Sequence, residues 1–141
     1  MPYTFSDKYS TADAGIIVTG KTVEELFSDA ALGMTEIIVA SENLEVRKKL
    51  TVELEADSME DLFFDWLSEV IYLKDAENFL LKNCVMEINE GDRINLRASL
   101  SGDEIDPERH TLKIDVKAVT LYRLKIEQIN DHWQGEAVFD L

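Results

Sequence analysis

Apolar residues recur along this chain with two different periods, and each change of period marks an element. Tyr3-Thr4-Phe5 reads as a short strand, and Ala14 to Thr19 as a second, β-branched one that ends at Gly20. Between them lies the polar loop Tyr9-Ser10-Thr11-Ala12-Asp13. Val23, Leu26, Phe27, Ala30, Ala31, Met34, Ile37 and Ile38 then follow at helical spacing, predicting an amphipathic helix to about Ser41. Thr22 stands three residues before Glu25, a capping box at its start. Leu50, Val52, Leu54 and Ala56 alternate with Thr51, Glu53 and Glu55, as a strand with one wet face should. Ser58 and Asp61 cap a second helix, whose broad apolar face carries Met59, Leu62, Phe63, Trp66, Leu67, Val70 and Ile71. That stripe, Trp66 included, reads as core.

The second half returns to period two. Val85 to Ile88, the turn Glu90-Gly91-Asp92, and alternating Ile94, Leu96, Ala98 and Leu100 predict a hairpin. After the polar stretch Ser101 to His110 come Leu112, Ile114, Val116 and Ala118 in alternation, then Tyr122, Leu124 and Ile126, then Trp133 to Phe139. Two helices and a strand-rich second half give an α+β domain, its helices packed on one face of a mostly antiparallel sheet. No repeat, linker or low-complexity tract divides it, so residues 1–141 are expected to fold as one unit.

Charge narrows the function. Fourteen Lys and Arg against 29 Asp and Glu leave a formal net charge of −15, so the average surface repels phosphate backbones. Metal cations or a basic protein partner suit such a field, although acidity also serves solubility. No window is long and apolar enough to span a membrane, and no export signal is present at the N-terminus. The lone Cys84, at the edge of an apolar run, has no partner for an intrachain disulfide; a reducing cytoplasm and a packing role fit it best.

Three places could hold chemistry. Asp13 closes the polar loop against Gly15, a position where an aspartate commonly bonds nearby amides but can also serve as a ligand. At the other end, Asp140 and the α-carboxylate of Leu141 are hard anionic groups one residue apart. They read either as a solvated chain end or as oxygen ligands for Ca²⁺, Mg²⁺ or Mn²⁺. The third is Gly102 to His110, dense in charge and followed by Lys117 in an apolar run; by composition it is a solvated loop. There is no glycine-rich phosphate loop, Gly-x-Ser-x-Gly elbow or paired-cysteine zinc pattern, and His110 and His132 lie in separate polar segments. For acid–base chemistry the sequence offers only His110 as an obvious candidate.

Taken in order, these stretches resemble the archease family over essentially the whole chain. Ser10-Thr11-Ala12-Asp13-Ala14-Gly15 is similar to the family's His-Thr-Ala-Asp-Val-Gly. Leu26-Phe27 through Gly33-Met34 resembles its first helix, and Asp65-Trp66-Leu67-Ser68-Glu69-Val70-Ile71-Tyr72-Leu73 its Trp-Leu-Ser-Glu-Leu-Leu-Tyr segment. Gly102 to His110, Val116-Lys117-Ala118-Val119-Thr120 and the closing Val138-Phe139-Asp140-Leu141 resemble its second half.

The resemblance implies a strand-helix-strand-strand module with an insertion. It also implies an accessory protein that activates the RNA-splicing ligase RtcB, promoting its guanylylation and turnover in tRNA splicing or RNA repair, with tRNA engaged only indirectly. By the same likeness Asp13, Asp140 and the Leu141 carboxylate would bind a divalent ion, calcium first, with magnesium or manganese as alternatives. Lys117, with His110 and Asp106 of the preceding stretch, would belong to the functional surface. Other readings are a chaperone-like modulator of a tRNA methyltransferase or another RNA-processing enzyme, and a metal-dependent enzyme acting on RNA ends. Two positions depart from the family pattern: Ser10 replaces a histidine, and Thr120-Leu121-Tyr122 stands for Thr-Tyr-His.

Overall fold

Capping chemistry starts both helices where the sequence places them. In the computed structural model, which describes residues 2–6 and 13–141, strands β1 (Tyr3–Ser6) and β2 (Asp13–Gly20) lead into helix α1 (Val23–Ile38). Ser10, Thr11 and Ala12 of the candidate loop lie outside the described residues. Thr22 is extended and its hydroxyl accepts from the Glu25 amide at 3.1 Å, while the Glu25 carboxylate accepts from the Lys21 amide at 3.1 Å. Ser58 likewise caps α2 (Met59–Glu77) by accepting from the Asp61 amide at 3.1 Å. Between the helices runs β3 (Lys48–Ala56), and after them β4 (Phe79–Glu90), β5 (Ile94–Glu104), β6 (Ala118–Val119), β7 (Lys125–Ile129) and β8 (His132–Asp140).

The α+β class holds, but the strands divide into two sheets. Every paired strand is antiparallel: one sheet runs β1-β2-β8-β6 with β7 also paired to β8, and the other β3-β5-β4. The helices bind the sheets into one core containing Ile16, Leu26, Phe27, Met34, Phe63, Trp66, Leu96 and Phe139. Trp66 is fully buried, and its indole N–H donates to the Phe27 carbonyl at 2.9 Å, joining α2 to α1.

Several elements differ from the pattern. The first helix stops at Ile38 because Val39 turns extended and bridges Leu112. A helix end leaves carbonyls unpaired, and this one has neither a glycine cap nor a basic last turn. The segment after His110 meets that need: the Lys113 and Ile114 amides donate to the carbonyls of Ile38 (2.8 Å) and Ile37 (3.2 Å). Most of the strand expected over Leu112 to Ala118 is therefore an extended helix-capping segment, and only Ala118–Val119 enters a sheet. Conversely β4 starts earlier than expected. Asn78 ends α2 in the left-handed region at φ 55°, and Phe79, Leu80 and Leu81 follow fully buried, a run in which no alternation could show.

Helix α1 also closes one sheet edge. Glu24 accepts from the Ile88 amide at 3.3 Å and Ser28 meets the Cys84 sulfur at 3.5 Å, so α1 lies along the outer side of β4. β3, the other edge of that sheet, pairs only with β5 among the described residues. None of the described helices is long and apolar enough to cross a membrane.

Where β4 shifts register between Leu81 and Asn83, β5 presents Gly102. A Cβ there would overlap the Leu80 carbonyl oxygen and lie 2.6 Å from the Phe79 ring. Gly102→Ala is expected to destabilise the fold by about 2–4 kcal/mol through forced overpacking, read from the urea midpoint; an unchanged midpoint would refute this packing.

Candidate functional site

Strand register, not a local motif, builds the first site. β2 pairs with β8 so that Asp13 lies opposite Asp140, and β6 places Ala118 on the other side of Asp140. Directly opposed residues of antiparallel strands share a face, with Cβ atoms about 4.5–5.5 Å apart. Two carboxylates from distant parts of the sequence thus become neighbours. Like charges so placed weaken a sheet unless a proton or cation lies between them. Among the described residues no third Asp, Glu, His or Cys side chain makes a group of three that could hold a metal. Leu141 follows directly, and its side chain lines an apolar groove of about 320 Å³ with Phe5, Ala14, Ile37 and Ile114.

Lys117 stands beside this pair but is directed elsewhere. Its amide donates to the Asp140 carbonyl at 2.8 Å, and the exposed residue lines a groove of about 280 Å³ with Phe64, Ser68, Ile71 and Tyr72 of α2. The segment carrying it is anchored by Lys74, a buried lysine in the last turn of α2. The Lys74 ammonium donates to the Asp115 carboxylate and to the Val116 carbonyl at 2.7 Å, and forms an ion pair with Asp75 at 2.9 Å. These partners satisfy a charge that could not otherwise be buried.

The stretch Gly102 to His110 is not simply a solvated loop. Asp103 and His110 have wholly buried side chains. Arg109 grips Asp103 with two N–H groups, at 2.9 and 3.2 Å, and the amides of Glu45 (2.9 Å) and Glu104 (2.8 Å) donate to the same carboxylate. His110 Nε2 lies 3.0 Å from Asp103 Oδ2, while its Nδ1 accepts from the Asp106 amide at 3.0 Å. With Nδ1 accepting, the Nε2 N–H faces the Asp103 carboxylate. Neither nitrogen is free for proton transfer, so the one histidine the sequence offered for acid–base work is a structural member. Asp106 remains partly exposed; the Glu108 amide, then Arg109, hold its carboxyl below the usual range.

Burial alone would raise the Asp103 pKa, but the hydrogen bonds from Arg109, Glu45, His110 and Glu104 together pull it far below its ordinary 3.8. At Cys84 burial wins and pushes the thiol pKa up, with Ser28 opposing, which favours the unreactive protonated form.

Sequence reasoning missed Asp103, Arg109 and Lys74. Lys74 did leave a signal, falling four residues beyond Val70 on the apolar stripe of α2, where a charge requires a buried partner. Asp103 left none, because β5 buries Gly102 and Asp103 in succession and so breaks its own alternation.

The model of the Archease protein family matches residues 3–141. The chain belongs to the archease family. It is similar to Protein archease of Pyrococcus furiosus, 35% identical over 133 residues that cover 93% of this chain and 94% of that one. It is also similar to Protein archease of Archaeoglobus fulgidus, 31% identical over the full length of both chains. The solution structure of a Methanobacterium thermoautotrophicum protein superposes with a TM-score of 0.82 at 28% identity, covering 99% of each chain. The crystal structure of a Thermotoga maritima archease, described as a possible chaperone, shares the fold at a TM-score of 0.65 and 20% identity over 96% of each chain.

The buried Asp103 hub has a measurable signature. A carboxyl whose pKa is lower folded than unfolded gives stability that is present above the unfolded value and lost as pH falls toward the folded one. Native stability should therefore decline below about pH 4, and Asp103→Asn should flatten that limb in urea unfolding while costing about 3–5 kcal/mol at neutral pH by removing the buried charge on which Arg109, His110 and the Glu45 and Glu104 amides converge. An equally steep acid limb in the variant would assign the effect to other carboxylates.

Proposed function

We propose that this archease-family protein is a cytoplasmic accessory factor of the RNA-splicing ligase RtcB, supporting ligase guanylylation and repeated turnover rather than catalysing a reaction itself. Family membership supports the accessory role. The observation that supports the site is the Asp13–Asp140 register, which brings two carboxylates side by side with the Lys117 backbone next to them.

In this reading Asp13, Asp140 and the Leu141 carboxylate would hold a divalent cation, calcium or alternatively magnesium or manganese. The residues fit such a group: all donors are oxygens, two are held together by the sheet, and their repulsion favours a cation between them. A bound ion supplies charge neutralisation and a fixed arrangement of the strand ends. The protein's own contribution is a rigid backbone, because β8 is paired along both sides up to Asp140. Lys117 supplies a cation beside the α2 groove for contact with the ligase, in a chain whose negative charge disfavours direct engagement of RNA.

The chaperone-like reading draws on the description of the Thermotoga maritima relative and on the apolar groove lined by Phe5, Ile37, Ile114 and Leu141. It gives the same surface a different protein client. The reading as an enzyme on RNA ends loses support from the engagement of both His110 nitrogens.

Calcium or manganese should raise the melting temperature and titrate calorimetrically. Asp13→Ala, Asp140→Ala or one residue added after Leu141 should each weaken binding by roughly ten-fold or more. Unchanged affinity in all three would remove the metal site. Lys117→Ala should leave metal binding intact and reduce ligation in an assay containing RtcB, GTP and a divalent metal. No acceleration of that ligase by the unaltered protein would overturn the accessory assignment.

A further inference from the structure

An unpaired strand edge is a template for another strand, and proteins usually blunt it with charge. β3 is such an edge, but its charges are segregated: Lys49 lies toward its start, just after the exposed Arg47 that pairs with Glu45, and Glu53 and Glu55 lie toward its end, with exposed Thr51 between them. Turned antiparallel against itself about Thr51, the strand sets Lys49 opposite Glu53 and Arg47 opposite Glu55, twice over by symmetry. On the other face the same register places Leu50 beside Val52, side chains that already lean toward the core. Lys49 has no ion-pair partner among the described residues, and Glu53 faces Arg97 at 3.5 Å, so a second lysine would extend an existing ladder.

We infer that β3 is a self-association edge, through which a second copy of this chain adds antiparallel to form a six-stranded sheet across a two-fold axis. Copies of net charge −15 repel at long range. The Debye length is only about 10 Å at 0.1 M salt, however, so that repulsion is screened while strand-to-strand pairs in contact survive. The opposite edge, β4, is unsuited to the role because α1 lies along it and Glu24 takes the Ile88 amide. This inference does not depend on the ligase assignment.

Sedimentation equilibrium of the full chain over a concentration series tests it, with hydrogen exchange of the β3 amides at the ends of the series. The expected result is a monomer–dimer equilibrium with β3 amides protected as dimer accumulates. Lys49→Glu and Glu53→Lys, both exposed and checked for native circular dichroism, should each weaken dimerisation by about ten-fold or more, since every opposed pair at those positions becomes like-charged. An equimolar mixture of the two variants should regain association, because positions 49 and 53 are then both acidic on one edge and both basic on the edge facing it. A monomer at every concentration, a dimer indifferent to both reversals, or a mixture that fails to regain association would each overturn the proposal.

Discussion

The pairing of β2 with β8 is the constraint on which the rest of the molecule depends. β8 is held by β2 on one side and by β6 and β7 on the other, so the larger sheet exists only when this strand is in place. Its register is fixed by burial: Ile16 and Val18 face α1 alongside Ala137 and Gly135, and a one-residue slip would carry Phe139 to the outside. The same register that buries the core therefore opposes Asp13 and Asp140. Core and candidate site are not separately adjustable.

Charge is handled differently inside and outside this acidic chain. Outside, ion pairs such as Arg97–Glu53 are exposed and contribute little individually. Inside, Asp103 and Lys74 are each given a full set of partners, and no buried side-chain polar atom among the described residues lacks one. The two hubs do comparable work at different places. Asp103 ties the Glu45 backbone to the end of β5 and to the loop of Arg109 and His110, and Lys74 ties α2 to the segment that leads to Lys117. Neither hub involves the Asp13–Asp140 pair, which strand register alone brings together.

Local pattern made the helices legible, because Thr22 and Ser58 bond the amides that their spacing implies and the stripes through Phe27 and Trp66 are buried except for the half-covered Ile37 and Met59. It failed where a segment's role is tertiary. Leu112 and Ile114 alternate as a strand should, yet their amides and neighbours serve the end of α1, and both side chains are largely exposed. Phe79 to Leu81 carry no period at all because they are buried on every side. For the site, Asp13 and Asp140 could be named from the chain and from its resemblance, but their adjacency is a property of strand register. The Asp103 hub was hidden because composition reports charge without reporting whether water reaches it.

The place of β8 in the chain has a consequence for biosynthesis. The strand that anchors the larger sheet is the last one described, so β2 can have no partner on that side until residues 132–140 have left the ribosome. Until then Ile16 and Val18 lie beside an unfilled ladder, a long-range vacancy of the kind that slows folding and exposes nascent chains to misassociation. The smaller sheet, whose strands are all complete by Glu104, can be assembled with α2 well before that moment. Folding of this protein during synthesis is thus divided by topology into an early half and a late one, and quality control acting on the nascent chain would meet the half that is still missing its central strand.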